Sequence, residues 1–265
     1  MKYTAVISAA PGKVVLFHGG TEQAMAAARD AGFDAVQLTA RTPDDLPKEL
    51  LRRLSGETGL AFSAVATGQV ASVDGLTMNA GDEEKRKACV ERIAAIAARA
   101  KEAGCPAFVI GMIRGNSEHA ASQEESLRCF ENSLREVSER FAEIGSTAFV
   151  EVYNHLETNM YSDPESVRRL IERLGSPRVR MSLDLMHLFI EGLDVPETIR
   201  RYAGYCYQID ITGEDRISPR ESAMDFPAIC RAIRDSGFDG YLNFEYSAQT
   251  PAAELSYIRE LLERD

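Results

Sequence analysis

A chain of 265 residues with 45% hydrophobic side chains can bury a sizeable core, and no apolar run in it approaches the roughly 18 residues that cross a bilayer. Its formal net charge of −11 offers no basic surface to a phosphate backbone, which excludes nucleic acid as a partner. Five cysteines (Cys89, Cys105, Cys129, Cys206 and Cys230) form no C-x-x-C pair. They read as buried reduced thiols rather than a disulfide framework or a thiolate zinc site.

The opening M-K-Y-T-A-V-I-S lacks the apolar centre of a signal peptide and reads directly as a strand over 3–8, in a cytoplasmic protein. A helix is expected over 21–31, a strand over 34–38, a helix over 43–57 and a strand over 60–66. Next come a helix over 82–103 and a strand over 107–111, then a helix over 120–144 and a strand over 147–152. Helices over 164–173, 194–203 and 226–236 precede strands over 179–184, 205–210 and 241–246, and a helix over 251–263 follows. One junction recurs: an amphipathic helix, a glycine, then a short apolar run, as in R-D-A-G-F-D-A-V-Q-L and R-D-S-G-F-D-G-Y-L-N-F. The glycine suits the residue after a helix, where positive φ is required, and the run that follows suits a buried strand.

Eight strands alternating with eight helices imply parallel strands joined by right-handed crossovers. In about 250 residues that is a single (β/α)8 TIM barrel, one domain over 1–265. The alternative, a doubly wound open sheet, lacks a G-x-G-x-x-G after the first strand.

Chemistry in a barrel gathers at the C-terminal ends of its strands. The last four expected strands end in A-F-V-E-V-Y-N, M-S-L-D-L-M-H, C-Y-Q-I-D and L-N-F-E-Y, carrying Glu151, Asp184, Gln208 and Glu245. Each has a structural reading of its own. Asp184 could cap a short following helix, Gln208 could bond a neighbouring backbone, and either glutamate could pair with an arginine. Four such groups on consecutive strands point instead to one divalent cation, because converging carboxylates without a cation repel and desolvate one another. Oxygen-rich ligation without cysteine favours Mg²⁺ or Mn²⁺. Among the four histidines, His18 and His119 fall in expected loops, His155 follows strand five, and His187 lies three residues beyond Asp184, within reach of the same mouth.

At these residues the chain resembles the xylose isomerase-like barrel family of sugar isomerases and epimerases. It is most similar to ketose 3-epimerases of the tagatose/psicose type and the 5-keto-L-gluconate epimerase group. The likeness spans nearly the whole chain and includes A-T-G-Q-V-A-S-V-D-G-L-T-M, V-I-G-M-I-R-G, E-V-Y-N-H-L-E-T-N, S-L-D-L-M-H and the final F-E-Y. The resemblance implies a divalent metal held by Glu151, Asp184, Gln208 and Glu245, with Glu151 and Glu245 doubling as acid and base on opposite faces of the substrate. It implies that Glu157, His187 and Arg216 contact substrate oxygens. The implied chemistry is proton removal beside a ketose carbonyl to give an enediolate, followed by reprotonation. A homodimer or homotetramer is also implied.

Three departures from the resemblance stand out. Gln208 occupies the place of an epimerase histidine, as in hydroxypyruvate isomerase and 3-dehydroshikimate dehydratase. The interval from Gln208 to Arg216 is two residues longer than the resemblance implies. The glycine-rich turn reads S-P-R-E-S, with Arg220 and Ser222 in place of glycines. Arg114, Arg216 and Arg220 near strand ends suggest that the substrate is anionic, a keto-sugar acid or sugar phosphate, and the competing reading of these arginines is pairing with the abundant surface acids. The competing functions are a hydroxypyruvate isomerase-like isomerase, a lyase resembling 3-dehydroshikimate or inosose dehydratase, and a non-catalytic sugar-binding relative. A DNA-repair endonuclease is excluded, since it needs a histidine-rich multi-zinc site and a basic groove.

Overall fold

Strand β1 (Lys2–Ser8) is followed by the two-residue β2 (Phe17–His18), β3 (Ala35–Thr39), β4 (Ala61–Ala66) and β5 (Ala107–Ile110). Then come β6 (Thr147–Val152), β7 (Val179–Asp184), β8 (Cys206–Ile211) and β9 (Tyr241–Phe244). The computed structural model describes residues 1–8 and 13–264. The sheet order is β2-β1-β3-β4-β5-β6-β7-β8-β9, and β1 also pairs in parallel with β9, Lys2 opposite Tyr241 and Ala5 opposite Phe244. Strands buried on both faces need near-continuous apolar sequence, and A-F-V-I of β5 is buried at all four positions.

The helices are α1 (Thr21–Asp30), α2 (Lys48–Thr58), α3 (Gly68–Ser72), α4 (Glu83–Glu102) and α5 (Gln123–Ile144). They continue with α6 (Pro164–Leu174), α7 (Leu185–Ile190), α8 (Val195–Tyr202), α9 (Phe226–Asp235) and α10 (Pro251–Glu263). Aspartates start several of them: Asp82, Asp163, Asp194 and Asp225 each accept backbone N–H groups of the first turn. At the other end, the glycines expected after helices have positive φ, for example 69° at Gly145 and 62° at Gly175.

The chain forms two compact units. One contains Met1–Leu38, Arg53–Ser63 and Met181–Asp265, and within it α9 packs on α8 and on α10. The other contains Thr39–Arg52 and Ala64–Arg180, with α4 packed on α5 and β5 paired with β6.

All eight expected strands are present, together with the short helix that Asp184 could cap and two further short elements that were not anticipated, β2 and α3. The apolar run L-M-H-L-F-I after Asp184 continues the hydrophobic pattern of β7 but turns at once into α7, because Asp184 caps it. Elements β2 and α3 are too short to carry a periodic signal. The helix expected over 43–57 is interrupted. Pro43–Asp45 form a 3₁₀ turn, Leu46 before Pro47 is non-helical, and α2 starts at Lys48. The expected strand 241–246 ends at Phe244, which leaves Glu245 just beyond it.

Among the described residues, no helix is long and apolar enough to cross a membrane. Cys89, Cys105, Cys206 and Cys230 are buried, and burial pushes the thiols of Cys89, Cys105 and Cys230 up to about 12. Such thiols carry almost no thiolate at neutral pH. Titration of the native protein with Ellman's reagent at pH 7.5 should therefore release one rapid equivalent, from the half-buried Cys129, and five in denaturant. Two or more rapid equivalents would contradict this burial.

Candidate active site and metal centre

Asp184 ends β7 with a fully buried side chain. Its Oδ1 accepts the Met186 N–H at 2.9 Å, so the carboxylate caps α7 as well as facing the site. Its Oδ2 lies 2.6 Å from Arg216 Nη1 and 3.7 Å from His187 Nε2. In this structure the guanidinium of Arg216 is a positive group beside Asp184. The same Nη1 is 3.8 Å from Glu245 Oε1, so one arginine spans both carboxylates. Arg216 reaches that position from a strained turn, with φ 57° at Asp215 and 62° at Arg216. Consecutive left-handed non-glycine residues persist only where the surroundings hold them.

Gln208 sits on β8 with 1% exposure, and its Nε2 donates to Gln37 Oε1 at 3.0 Å and to Asp210 Oδ1 at 2.7 Å. Its Oε1 is buried and has no hydrogen-bond partner among the described residues. Asp210 was not singled out from the sequence, although its place two residues beyond Gln208 puts it on the same strand face. It is equally buried, and Oδ1 also accepts from Asn243 Nδ2 at 2.6 Å. The same Asn243 nitrogen reaches Glu245 Oε2 at 3.4 Å. Gln37, Gln208, Asp210, Asn243 and Glu245 thus form one buried polar chain.

The S-P-R-E-S turn does not press its bulk on these groups. Arg220 turns to α10, where it donates to the Ala253 carbonyl at 2.8 Å, approaches Glu254 at 3.7 Å and stacks over the Tyr257 ring. Ser218 Oγ donates to Glu254 Oε2 at 2.6 Å, and Ser222 Oγ donates to the Glu214 carboxylate. Burial acts to raise the Glu214 carboxyl, but the Ala223 N–H and the Ser222 hydroxyl outweigh it and hold the group below its ordinary value.

In the second unit Glu151 lies near the end of β6 and is 6% exposed. Space for its carboxylate exists because residue 111 is glycine. A Cβ there would lie 2.9 Å from Glu151 Oε2 and 2.7 Å from Tyr153 Oη. Both atoms are ends of flexible side chains, so Gly111→Ala is expected to shift them cheaply. Stability should fall by less than about 1 kcal/mol while turnover drops at least roughly tenfold, since a displacement of about 1 Å can cost far more. Equal turnover in the two proteins would show that Glu151 is not held to a tight position.

Arg114 is buried, and every bond of its guanidinium goes to a main-chain carbonyl: Gly111, Met160, Tyr161, Ile110 and Glu151. Burial pushes its pKa below the ordinary arginine value. Glu157 is exposed on the loop after β6, bonded to Asn154, and helps line a cavity of about 160 Å³ with Thr77, Met112, His119, Tyr153 and Thr158. His18, His119 and His155 are exposed, and His187 is buried. The three arginines considered for an anionic substrate therefore engage protein groups: carbonyls for Arg114, carboxylates for Arg216, and α10 for Arg220.

A family model described as a xylose isomerase-like TIM barrel matches residues 25–263. The chain belongs to that family. Its fold class is accordingly the (β/α)8 barrel that the alternation of elements predicts. A ketose 3-epimerase of Arthrobacter globiformis is 27% identical over 237 residues, 86% of this chain and 78% of its own. A human member, named provisionally as a hydroxypyruvate isomerase, is 25% identical over 252 residues, 90% of this chain and 88% of its own. The solved structure titled L-ribulose 3-epimerase superposes with a TM-score of 0.85 at 22% identity, covering 99% of this chain and 95% of that one. That likeness is one of fold.

The residues present suit a hard divalent cation. Asp184 and His187 offer ligand atoms within 4.8 Å of each other, and so do Asp210 and Glu245. The donors are carboxylate and amide oxygens with one imidazole, and the buried Gln208 Oε1 and Asn243 Oδ1 have no hydrogen-bond partner among the described residues. Such a set matches Mg²⁺ or Mn²⁺ better than a thiophilic metal.

Proposed function

We propose that this protein is a divalent-metal-dependent sugar epimerase or isomerase. It acts on a ketose or keto-sugar acid through an enediolate, with Glu151 and Glu245 as acid and base. The observation that carries the reading is the carboxylate set of buried Asp184 and Asp210, on β7 and β8, with half-buried Glu245 just beyond β9, spanned in part by Arg216. The names of the Arthrobacter and human relatives, each matched over more than four-fifths of this chain, point the same way.

Glu151, Asp184 and Glu245 would hold the cation together with one group from β8. When bound, a divalent ion supplies Lewis acidity that weakens the C–H bond beside a ketose carbonyl. The protein's own groups do the rest. One glutamate removes the proton, and the other, presented from a different strand, returns one to the opposite face. Arg216 balances the negative charge of Asp184 and Glu245, and His187 presents its ring to a substrate oxygen near the carbonyl. Glu157 orients a hydroxyl from the loop after β6.

Because Arg114, Arg216 and Arg220 are engaged by the protein itself, a neutral ketose suits the site better than its acid counterpart. Incubating the Mn²⁺-loaded protein with neutral ketoses in D₂O and following it by proton NMR should show deuterium entering one carbon without loss of water. An unsaturated product would mean a lyase, and no exchange with any ketose, keto-acid or phosphate would mean a non-catalytic binder. Treatment with EDTA should abolish exchange, and Mn²⁺ should restore it. The provisional name of the human relative favours an aldose–ketose isomerase as the second reading, distinguished by which carbon takes up deuterium.

A further inference from the structure

Strand β8 turns two polar side chains to the same face, Gln208 and Asp210, one layer apart. Its registers decide which of them is level with the other candidate ligands. Across β7 and β8, Asp184 is paired with Asp210, whereas Gln208 is paired with Ser182. Across β8 and β9, Asp210 is paired with Asn243, two residues before Glu245, and Gln208 with Tyr241. Gln208 is therefore a full layer deeper than Asp184, and Asp210 is level with it. A carboxylate oxygen of Asp210 also comes within 4.8 Å of one of Glu245.

The hydrogen bonds assign complementary roles. Gln208 gives its amide nitrogen to Asp210 Oδ1, and Asn243 gives its own to the same atom. Two N–H donors on one oxygen fix the orientation of the carboxylate. Outer partners of a metal ligand act in this way. Gln37 takes a further bond from the Gln208 nitrogen, which holds that amide in place. The sequence agrees independently, because Arg216 stands two residues too far from Gln208 for the resemblance, and counting from Asp210 removes that excess.

We infer that Asp210, not Gln208, is the β8 ligand of the divalent cation, and that Gln208 and Asn243 are positioning residues for it. The inference rests on the metal-dependent reading above. The resulting set of Glu151, Asp184, Asp210 and Glu245 is carboxylate throughout, which favours Mn²⁺ and Mg²⁺ over softer ions.

The test is calorimetric titration of Mn²⁺ into the metal-stripped full-length protein, followed by spectroscopy with Co²⁺. Asp210→Asn is expected to lose Mn²⁺ affinity to the same degree as Asp184→Asn. Gln208→Leu should lose only roughly 10–100-fold, the range for an outer partner. With Co²⁺ bound, Asp210→Cys should show a thiolate-to-cobalt charge-transfer band that Gln208→Cys and the parent protein lack, a signature that a merely structural role would not produce. A band from Gln208→Cys alone, or parental Mn²⁺ affinity in Asp210→Asn, overturns the inference. If the Asp210 variants fail to fold by circular dichroism, the Gln208→Leu isotherm decides: a loss equal to that of Asp184→Asn overturns the assignment, and a loss of roughly 10–100-fold supports it. If the parent protein takes up no Mn²⁺, the metal-dependent reading and this inference fall together. If the parent binds, Asp184→Asn does not, and Asp210→Asn binds normally, only the assignment of Asp210 falls.

Discussion

Replacing Glu151 by glutamine is expected to cut epimerisation by about 10²–10⁴-fold, the usual worth of a positioned general acid or base. The same loss is expected for Glu245→Gln. The two variants should differ in what survives. If each glutamate serves one face of the substrate, the one that remains can still exchange the proton of the epimer it faces. Each variant should then wash deuterium into one epimer without converting it to the other, and the favoured epimer should be opposite in the two. Glu151 and Glu245 are both largely shielded from water, with 6% exposure of Glu151 and 16% of the Glu245 side chain. A water molecule is a poor substitute in such a place. Turnover within roughly tenfold of the parent in both variants would remove these residues from the chemistry.

The largest effect on stability is expected from Arg114→Met. Methionine fills much of the same volume, but five main-chain carbonyls lose the guanidinium donor in a buried site, the Gly111 carbonyl keeping the N–H of residue 114. A buried acceptor left without a partner costs about 1–3 kcal/mol, and water entering the gap recovers part of it. A net loss of roughly 3–5 kcal/mol follows, measured as a fall in the urea midpoint. At roughly 2–4 °C per kcal/mol for a chain of this size, the melting temperature should drop by about 10 °C. Arg114→Lys should also destabilise, because a compact ammonium with three donors cannot serve a planar fan of five acceptors. Melting curves that superpose on the parent's would show that these bonds do not contribute. Because the Glu151 carbonyl is one of the five, Arg114 variants should lose activity as well as stability.

Most of the fold was legible in the sequence. Apolar runs, capping aspartates and glycines with positive φ are local signals, since each reflects what a few neighbouring residues can do unaided. They located the eight strands and the glycine-marked helix ends. They failed where an element was too short to be periodic, as in α3, and they left the capping of α7 as one of several roles open to Asp184. The site was legible in part for the same reason. Strand ends are readable, so Asp184 and Glu245 could be singled out; in the structure both lie beside Arg216, which sequence resemblance also singled out.

By itself, the sequence determined the alternation of strands and helices, the net charge of −11, and the polar side chains available at each strand end. The tertiary structure decided which of those side chains stand level with one another. Period-two alternation puts Gln208 and Asp210 on the same face and cannot choose between them, whereas the register of β8 against β7 sets Asp210 beside Asp184. The destinations of the arginines were equally beyond local pattern. A guanidinium on a long flexible stem can reach carboxylates, carbonyls or solvent, and only the packed chain fixes which acceptors lie within its range. Thus Arg114 is bound to main-chain oxygens, Arg220 lies along α10, and Arg216 alone spans the carboxylates.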